Sequence, residues 1–200
     1  MNERDLVFHG LAIKRHSTPD VIADLIGLPK DKVSRLLTDA LATGRAVEAR
    51  GGYSLAPLAR VALEARYGLH FADLRDDLGF VAQYERFEVV NRTLKQIITD
   101  WQTAPVRGEQ VANDHGDKAY DDAIIGRLGD LHERAEPVLR ALADRLPRLG
   151  RYLTKLTSAL EQAEDGETDW VCDIRRESYH TVWFELHEDL LRIMGRSRDE

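Results

Sequence analysis

The chain has 200 residues and a mass of 22.7 kDa, which is enough for one large domain or two small ones. Its 43% hydrophobic and 32% charged residues are typical of folded globular chains and exclude a wholly disordered one. No apolar run approaches the ~18–20 residues of a transmembrane helix, and no signal-peptide pattern follows the charged start, so we expect a cytoplasmic protein.

The formal net charge of −7 is unevenly distributed. Residues 1–70 carry ten Lys and Arg against eight Asp and Glu, a net charge of +2, which leaves eighteen against twenty-seven, a net charge of −9, in residues 71–200. An acidic part after a mildly basic part predicts two modules and permits nucleic-acid binding by the first. The single cysteine, Cys172, excludes an intrachain disulfide and a cysteine-rich zinc site.

Three short helices are predicted in the first module. The first spans residues 4–15. Ser17-Thr18-Pro19 indicates a hydroxyl N-cap and a first-turn proline for a second helix at 19–26, which Gly27 ends. The third helix, at 31–43, has apolar residues at positions i, i+3, i+4, i+7 and i+8, the spacing of an amphipathic helix: Val33, Leu36, Leu37, Ala40 and Leu41.

A β-hairpin and another helix follow. Residues 46–49 and 53–55 flank Arg50-Gly51-Gly52, and we expect the two glycines to take the positive φ angles of the turn. Pro57 begins a helix that runs to about residue 67. Three helices followed by a two-stranded hairpin is the order of a winged helix-turn-helix, which we predict for residues 1–67.

From residue 80 the chain predicts only helices. Residues at alternating spacings of four and three form the seam of a helical bundle, with Asn91 as its one polar position: Phe80, Tyr84, Phe87, Asn91, Leu94, Ile98 and Trp101. A polar loop at 103–117 precedes a helix that Asp117 caps and that Pro137 kinks.

Two more helices, at 149–163 and 171–194, complete the pattern. Four long helices with short connections predict an antiparallel bundle for residues 80–200, joined to the winged helix by a helical linker at 68–79. The predicted protein is therefore mainly α-helical, with one short β-hairpin.

The outward face of the third helix is the candidate DNA-binding surface. A helix presented in this way fits the major groove, arginine reads guanine bidentately, and lysines and hydroxyls hold phosphates. The predicted contacts to double-stranded DNA are Lys30, Lys32, Ser34, Arg35, Thr38, Arg45 and Arg50. Because Asp31 and Asp39 lie beside this surface and the module's net charge is only +2, a protein-docking or structural module is the alternative.

A candidate ligand pocket follows from Asn91, whose amide needs hydrogen-bond partners on an otherwise apolar seam. The functional hypothesis is a pocket between helices for a small aromatic or acidic effector, lined by Asn91, Trp101, Tyr179, His180, Trp183 and His187. The alternative hypothesis is a polar network that fixes the register of the helices.

Metal binding and catalysis have little support from the residues. Glu177 and His180 form one Glu-x-x-His pair, with His187 seven residues further on, whereas a di-metal bundle needs two such pairs. The chain has no phosphate-binding glycine loop and no serine or cysteine nucleophile motif. We therefore expect no cofactor and no enzymatic activity, with a metal-dependent enzyme at these three residues as a remote alternative.

In residues 1–66, including the step Tyr-Ser-Leu-Ala-Pro-Leu-Ala-Arg at 53–60, the chain resembles bacterial winged-helix regulators of the MarR type. The resemblance implies the winged-helix fold. Together with the exposed cations it favours a DNA-binding transcriptional regulator, in which the helical bundle forms a homodimer or binds a small-molecule effector.

Residues 99–102, 113–121 and 178–191 resemble parts of a bacterial helical module. The module accompanies winged-helix proteins and forms the tail of some pyruvate phosphate dikinase-like (phosphoenolpyruvate-utilising) chains, and the resemblance spans about residues 80–195. The present chain lacks the nucleotide-grasp domain, the phosphohistidine domain and the barrel of such enzymes. The resemblance thus implies at most a non-catalytic regulatory or docking role toward them, which is the alternative function.

Overall fold

Helices make up 72% and strands 8% of the protein in the computed structural model, which describes residues 1–106 and 108–198. Arg107, in the predicted loop, and the last two residues of the predicted bundle lie outside the described residues. The chain divides into two units, which are Met1–Asp77 with the described residues from His187 onward, and Leu78–Leu186. The boundary at residues 77 and 78 falls inside the segment for which a linker is predicted.

The first unit begins with six helices and a hairpin. The helices are α1 (Glu3–Lys14), α2 (Pro19–Ile26), α3 (Lys30–Ala42), α4 (Pro57–Glu64), α5 (Tyr67–His70) and α6 (Ala72–Asp76). Helix α1 packs against α2, α3 and α4, and its side chains Val7 and Leu11 are completely buried. Thr18 stands at the predicted N-cap of α2, but its hydroxyl makes no capping hydrogen bond. Gly27 ends α2 with a φ of 74°, as predicted.

The hairpin of the first unit pairs β1 (Ala46–Ala49) with β2 (Gly52–Leu55), and Ala46 lies opposite Leu55. Arg50 and Gly51 take the positive φ angles of the turn, 50° and 76°. The prediction that Gly52 supplies one of them is therefore wrong. A Cβ at Gly52 would lie 2.5 Å from Nε2 of His16, so a larger residue there would displace this exposed ring.

The second unit contains the longest helices. Its elements are α7 (Leu78–Gln102), β3 (Thr103–Val106), β4 (Glu109–Ala112), α8 (Lys118–Arg145), α9 (Gly150–Glu164), α10 (Asp169–Cys172) and the first half of α11 (Tyr179–Met194). All seven side chains predicted for the seam on α7 are buried, and α8 packs against both α7 and α9. The oxygen of the Asp117 side chain accepts the N–H of Tyr120, which confirms the predicted cap of α8.

Two predictions for this unit are wrong. The predicted polar loop contains an antiparallel hairpin, in which Thr103 pairs with Ala112 and the pairing continues to Val106 opposite Glu109. The predicted last helix is interrupted, since α10 ends at Cys172 and α11 begins at Tyr179. Pro137, for which a kink is predicted, lies inside α8, which runs from Lys118 to Arg145. None of the described helices is both long enough and apolar enough to cross a bilayer.

Candidate functional site

Helix α3 presents a polar outer face because its apolar residues are fixed in the core of the first unit. Val33, Leu37 and Ala40 are buried, in agreement with the predicted spacing, whereas the predicted core residues Leu36 and Leu41 are only half-buried. The opposite face is open to solvent. Lys30, Arg35 and Thr38 are exposed and Lys32 and Ser34 are half-buried.

Each cation of α3 contacts a carboxylate of the same chain. Nζ of Lys30 lies 2.6 Å from Asp20, and Nζ of Lys32 lies 2.7 Å from Glu3. The guanidinium of Arg35 lies 3.0 Å from Asp31, one turn earlier on the helix. The cations are thus present where the sequence predicts them, but they are partly neutralised.

The predicted DNA contacts Arg45 and Arg50 lie at the hairpin of the first unit rather than on α3. Within residues 1–106 and 108–198, no acidic side chain forms an ion pair with Arg45 or Arg50. The backbone of Arg45 is fixed, since its N–H donates to Ala40 and its carbonyl accepts from Ala56. Arg50 occupies the hairpin turn. Both side chains are exposed and available to an anionic partner.

The connection between α1 and α2 adds residues that the sequence analysis missed. Ser17 exchanges two backbone hydrogen bonds with Tyr53 of β2, at 3.0 and 2.8 Å, so an isolated β-bridge joins this connection to the hairpin. Nδ1 of His16 lies 3.1 Å from the hydroxyl of Ser54. Arg15 is exposed and has a φ of 63°. The adjacent basic residues Lys14, Arg15 and His16 are the only sequence signal for this feature.

Three of the residues predicted for a ligand pocket lie in the core of the second unit. Asn91, Tyr179 and Trp183 are buried in the core of the second unit. The indole Nε1–H of Trp183 donates to Oδ1 of Asn91 at 3.0 Å, and its ring stacks on Phe87 with 5.0 Å between centroids. This arrangement is the polar network of the alternative hypothesis, which satisfies the buried amide.

The two histidines predicted for the pocket, His180 and His187, belong to different units. His180 contacts the thiol of Cys172 through Nδ1 at 3.2 Å, and burial raises the pKa of that thiol, which stays protonated at neutral pH. His187 is buried, and Glu177 pairs with Lys155 at 2.7 Å. Among the described residues, no three His, Cys, Asp or Glu side chains have the arrangement of a metal site.

An open groove of about 350 Å³ in the second unit is lined by Trp101 and Cys172 together with His115. The ring of His115 packs on Trp101 with 4.6 Å between centroids, and its Nδ1 donates to the buried carboxylate of Asp121 at 3.0 Å. Asn113 donates to the other oxygen of Asp121 at 2.8 Å. Of the predicted pocket residues, Trp101 lies in this groove.

Comparison of the chain with models of protein families, with curated proteins and with solved structures finds no match.

Proposed function

We propose that the chain is a DNA-binding transcriptional regulator whose first unit acts as a winged helix-turn-helix module. The observation that carries the proposal is the exposed outer face of α3 together with a hairpin whose arginines, Arg45 and Arg50, have no ion pair within the described residues. In such a module α3 enters the major groove and the hairpin contacts phosphates. Arg35 then reads a base, Ser34 and Thr38 contact the duplex, and Lys30, Lys32, Arg45 and Arg50 hold the backbone.

The ion pairs on α3 are compatible with this role. An exposed ion pair contributes about 0–1 kcal/mol, so a DNA phosphate can replace Asp20, Glu3 or Asp31 at little cost. The side chains of the Lys30–Asp20 pair are 64% and 59% exposed, and both side chains of the Arg35–Asp31 pair are 71% exposed. The carboxylates of Asp20, Glu3 and Asp31 therefore weaken binding to any DNA. They favour a duplex whose bases make further contacts with the protein.

In this proposal the second unit is a helical bundle that forms a homodimer or binds a small effector. A two-fold dimer places two reading helices on half-sites about 34–36 Å apart, which is one turn of DNA. The groove beside Trp101 and His115 is the candidate effector site, since it holds an imidazole fixed by a buried carboxylate.

Selection of bound fragments from random duplex DNA, followed by a gel-shift titration, tests the proposal. We expect the full chain to enrich a two-part motif and Arg35→Ala to lose about 1–3 kcal/mol of discrimination at one base of each half-site. Arg134→Ala, which removes an exposed arginine of α8, is the control and keeps the preference. Unchanged affinity and sequence preference in Arg35→Ala would overturn the assignment of Arg35, and failure to enrich any motif would overturn the proposal.

One observation favours a second function, that of a non-catalytic module docking on another protein. Ile174 and Val89 lie in the second unit, which the second resemblance covers, and are 87% and 56% exposed. Large apolar side chains that are exposed to solvent are candidate contacts for another protein. The partner implied by the resemblance is a phosphoenolpyruvate-utilising enzyme.

A pull-down with the purified chain distinguishes the two functions. Docking predicts recovery of such an enzyme, loss of recovery in Ile174→Asp, and no DNA shift at low salt. Leu58→Asp is the control, because Leu58 is 84% exposed but lies in the first unit. A DNA shift without recovery of the enzyme would reject docking.

A further inference from the structure

The connection between α1 and α2 is held against the hairpin by three separate contacts. Ser17 and Tyr53 share two backbone hydrogen bonds, and His16 contacts the hydroxyl of Ser54 at 3.1 Å. The ring of His16 also lies over Gly52, where a Cβ would come within 2.5 Å of Nε2. These contacts fix the position of the preceding residue, Arg15, relative to β2.

Arg15 shares the properties that set the hairpin arginines apart from the cations of α3. Its side chain is exposed, and within the described part of the chain it forms no ion pair with an acidic side chain. Its backbone N–H donates to Leu11 at 2.8 Å, which holds the left-handed φ of 63° at the end of α1. A cation on a fixed backbone loses less conformational entropy when it binds an anion than a cation on a mobile loop.

We propose that Arg15 is a further phosphate-contacting residue and that the connection Arg15-His16-Ser17 forms part of the DNA-binding surface together with the hairpin. The partner of this surface is the sugar–phosphate backbone of a duplex, because Arg15, Arg45 and Arg50 form no ion pair within the described residues and lie in or beside the hairpin and the connection bridged to it. His16 is a positioning residue, which holds the connection on β2 through Ser54. The inference rests on the proposed function and names residues outside its predicted contact set.

The test is the salt dependence of binding to a selected duplex, measured by fluorescence anisotropy with the full chain. Each phosphate contact contributes about 0.9 to the slope of log K against log salt concentration. We expect Arg15→Gln to reduce the magnitude of this slope by about 0.9 and to weaken binding about five- to tenfold near about 0.1 M salt. Arg15→Lys keeps the charge and is expected to retain the wild-type slope.

Two further variants make the result interpretable. Arg15→Gly tolerates a positive φ and reports whether a loss in Arg15→Gln comes from charge or from backbone strain. Arg92→Gln removes an exposed arginine of α7 and is expected to leave the slope unchanged. Binding by the wild type with an unchanged slope in both Arg15→Gln and Arg15→Gly would overturn this inference alone. Absence of binding by the wild type at low salt would overturn the proposed function and the inference with it.

Discussion

Nε2 of His9 lies 2.9 Å from Oδ1 of Asp189, a residue 180 positions later in the chain, and neither side chain is exposed to solvent. The other ring nitrogen, Nδ1, lies 2.9 Å from the hydroxyl of Tyr67. Burial raises the pKa of Tyr67, so its hydroxyl keeps its proton. The carboxylate of Asp189 accepts the Nε2–H of His9, and these contacts join α1 to α11 inside the first unit.

Removal of Asp189 is expected to destabilise the first unit strongly. Asp189→Ala takes a hydrogen-bond acceptor from a fully buried imidazole, which costs about 1–3 kcal/mol in free energy of unfolding, measured by urea denaturation. Asp20→Ala is the matched control, because it breaks an exposed contact with Lys30 and is expected to cost less than about 1 kcal/mol. Equal decreases in the free energy of unfolding would show that the buried His9–Asp189 contact stabilises the protein no more than the exposed Lys30–Asp20 contact.

A second buried histidine gives the stability a defined pH dependence. Nδ1 of His132 accepts from the hydroxyl of Tyr179 at 3.2 Å, Nε2–H contacts Thr157 at 3.2 Å, and burial lowers the pKa of the imidazole from its ordinary 6.5. As the pH falls below about 6.5, the unfolded chain binds a proton at this position and the folded chain does not.

The free energy of unfolding is therefore expected to decrease as the pH falls from about 7 to about 5. His132→Gln removes the titrating group and is expected to show a shallower decrease over the same range, measured by urea denaturation at each pH. The difference in free energy of unfolding between wild type and variant isolates the effect of His132, because the carboxylates titrate in both proteins and their contributions cancel. Parallel curves for wild type and variant would contradict this account of His132.

If the chain binds DNA as proposed, the contact between Gly52 and His16 is expected to link the stability of the hairpin to that binding. In Gly52→Ala the new Cβ would meet Nε2 of His16 at 2.5 Å, so the exposed ring must turn away and lose its contact with Ser54. We expect a loss below about 1 kcal/mol in stability, because the ring is free to move, and a weaker affinity for a selected duplex. In a His16→Ala background the Gly52→Ala change is expected to have little further effect, whereas additive losses would rule out the contact as their cause.

Asp31 is expected to weaken DNA binding through its contact with Arg35. Asp31→Asn removes the carboxylate 3.0 Å from the guanidinium and keeps the size of the side chain. Since an exposed ion pair is worth at most about 1 kcal/mol, we expect an affinity increase of about two- to fivefold in an anisotropy titration. Asp165→Asn, an exposed change outside α3, serves as the control. An equal or weaker affinity in Asp31→Asn would show that Arg35 does not face the duplex.

The periodic parts of the fold are predictable from the sequence, and the contacts between distant residues are not. Seam positions such as Phe87 and Leu94 are buried as predicted, because spacings of three and four place them on one face of a helix. The hairpin at 103–112 was missed since polar strand residues lack that periodicity, and its β4 residues are all exposed.

In the candidate DNA-binding surface, too, the helical pattern is predictable from the sequence and the contacts between side chains are not. The exposure of Arg35 follows from the apolar stripe on the opposite face of α3, but its pairing with Asp31 depends on side-chain conformation. Ser17 meets Tyr53 only because tertiary packing brings the α1–α2 connection beside β2, so Arg15 and His16 could not be assigned to the hairpin from their sequence positions. The positive φ of Arg50 departs from the rule that glycine takes such positions, and it was predicted for Gly52 instead.

The most direct test of the central claim is the affinity of the purified full chain for a selected duplex between about 50 and about 200 mM salt. If exposed arginines and lysines of the first unit hold DNA phosphates, log K falls linearly with log salt concentration, and Arg50→Gln lowers the magnitude of the slope by about 0.9. A flat salt dependence, or no binding at about 50 mM salt, would contradict the claim that this chain binds DNA through the helix α3 and the hairpin.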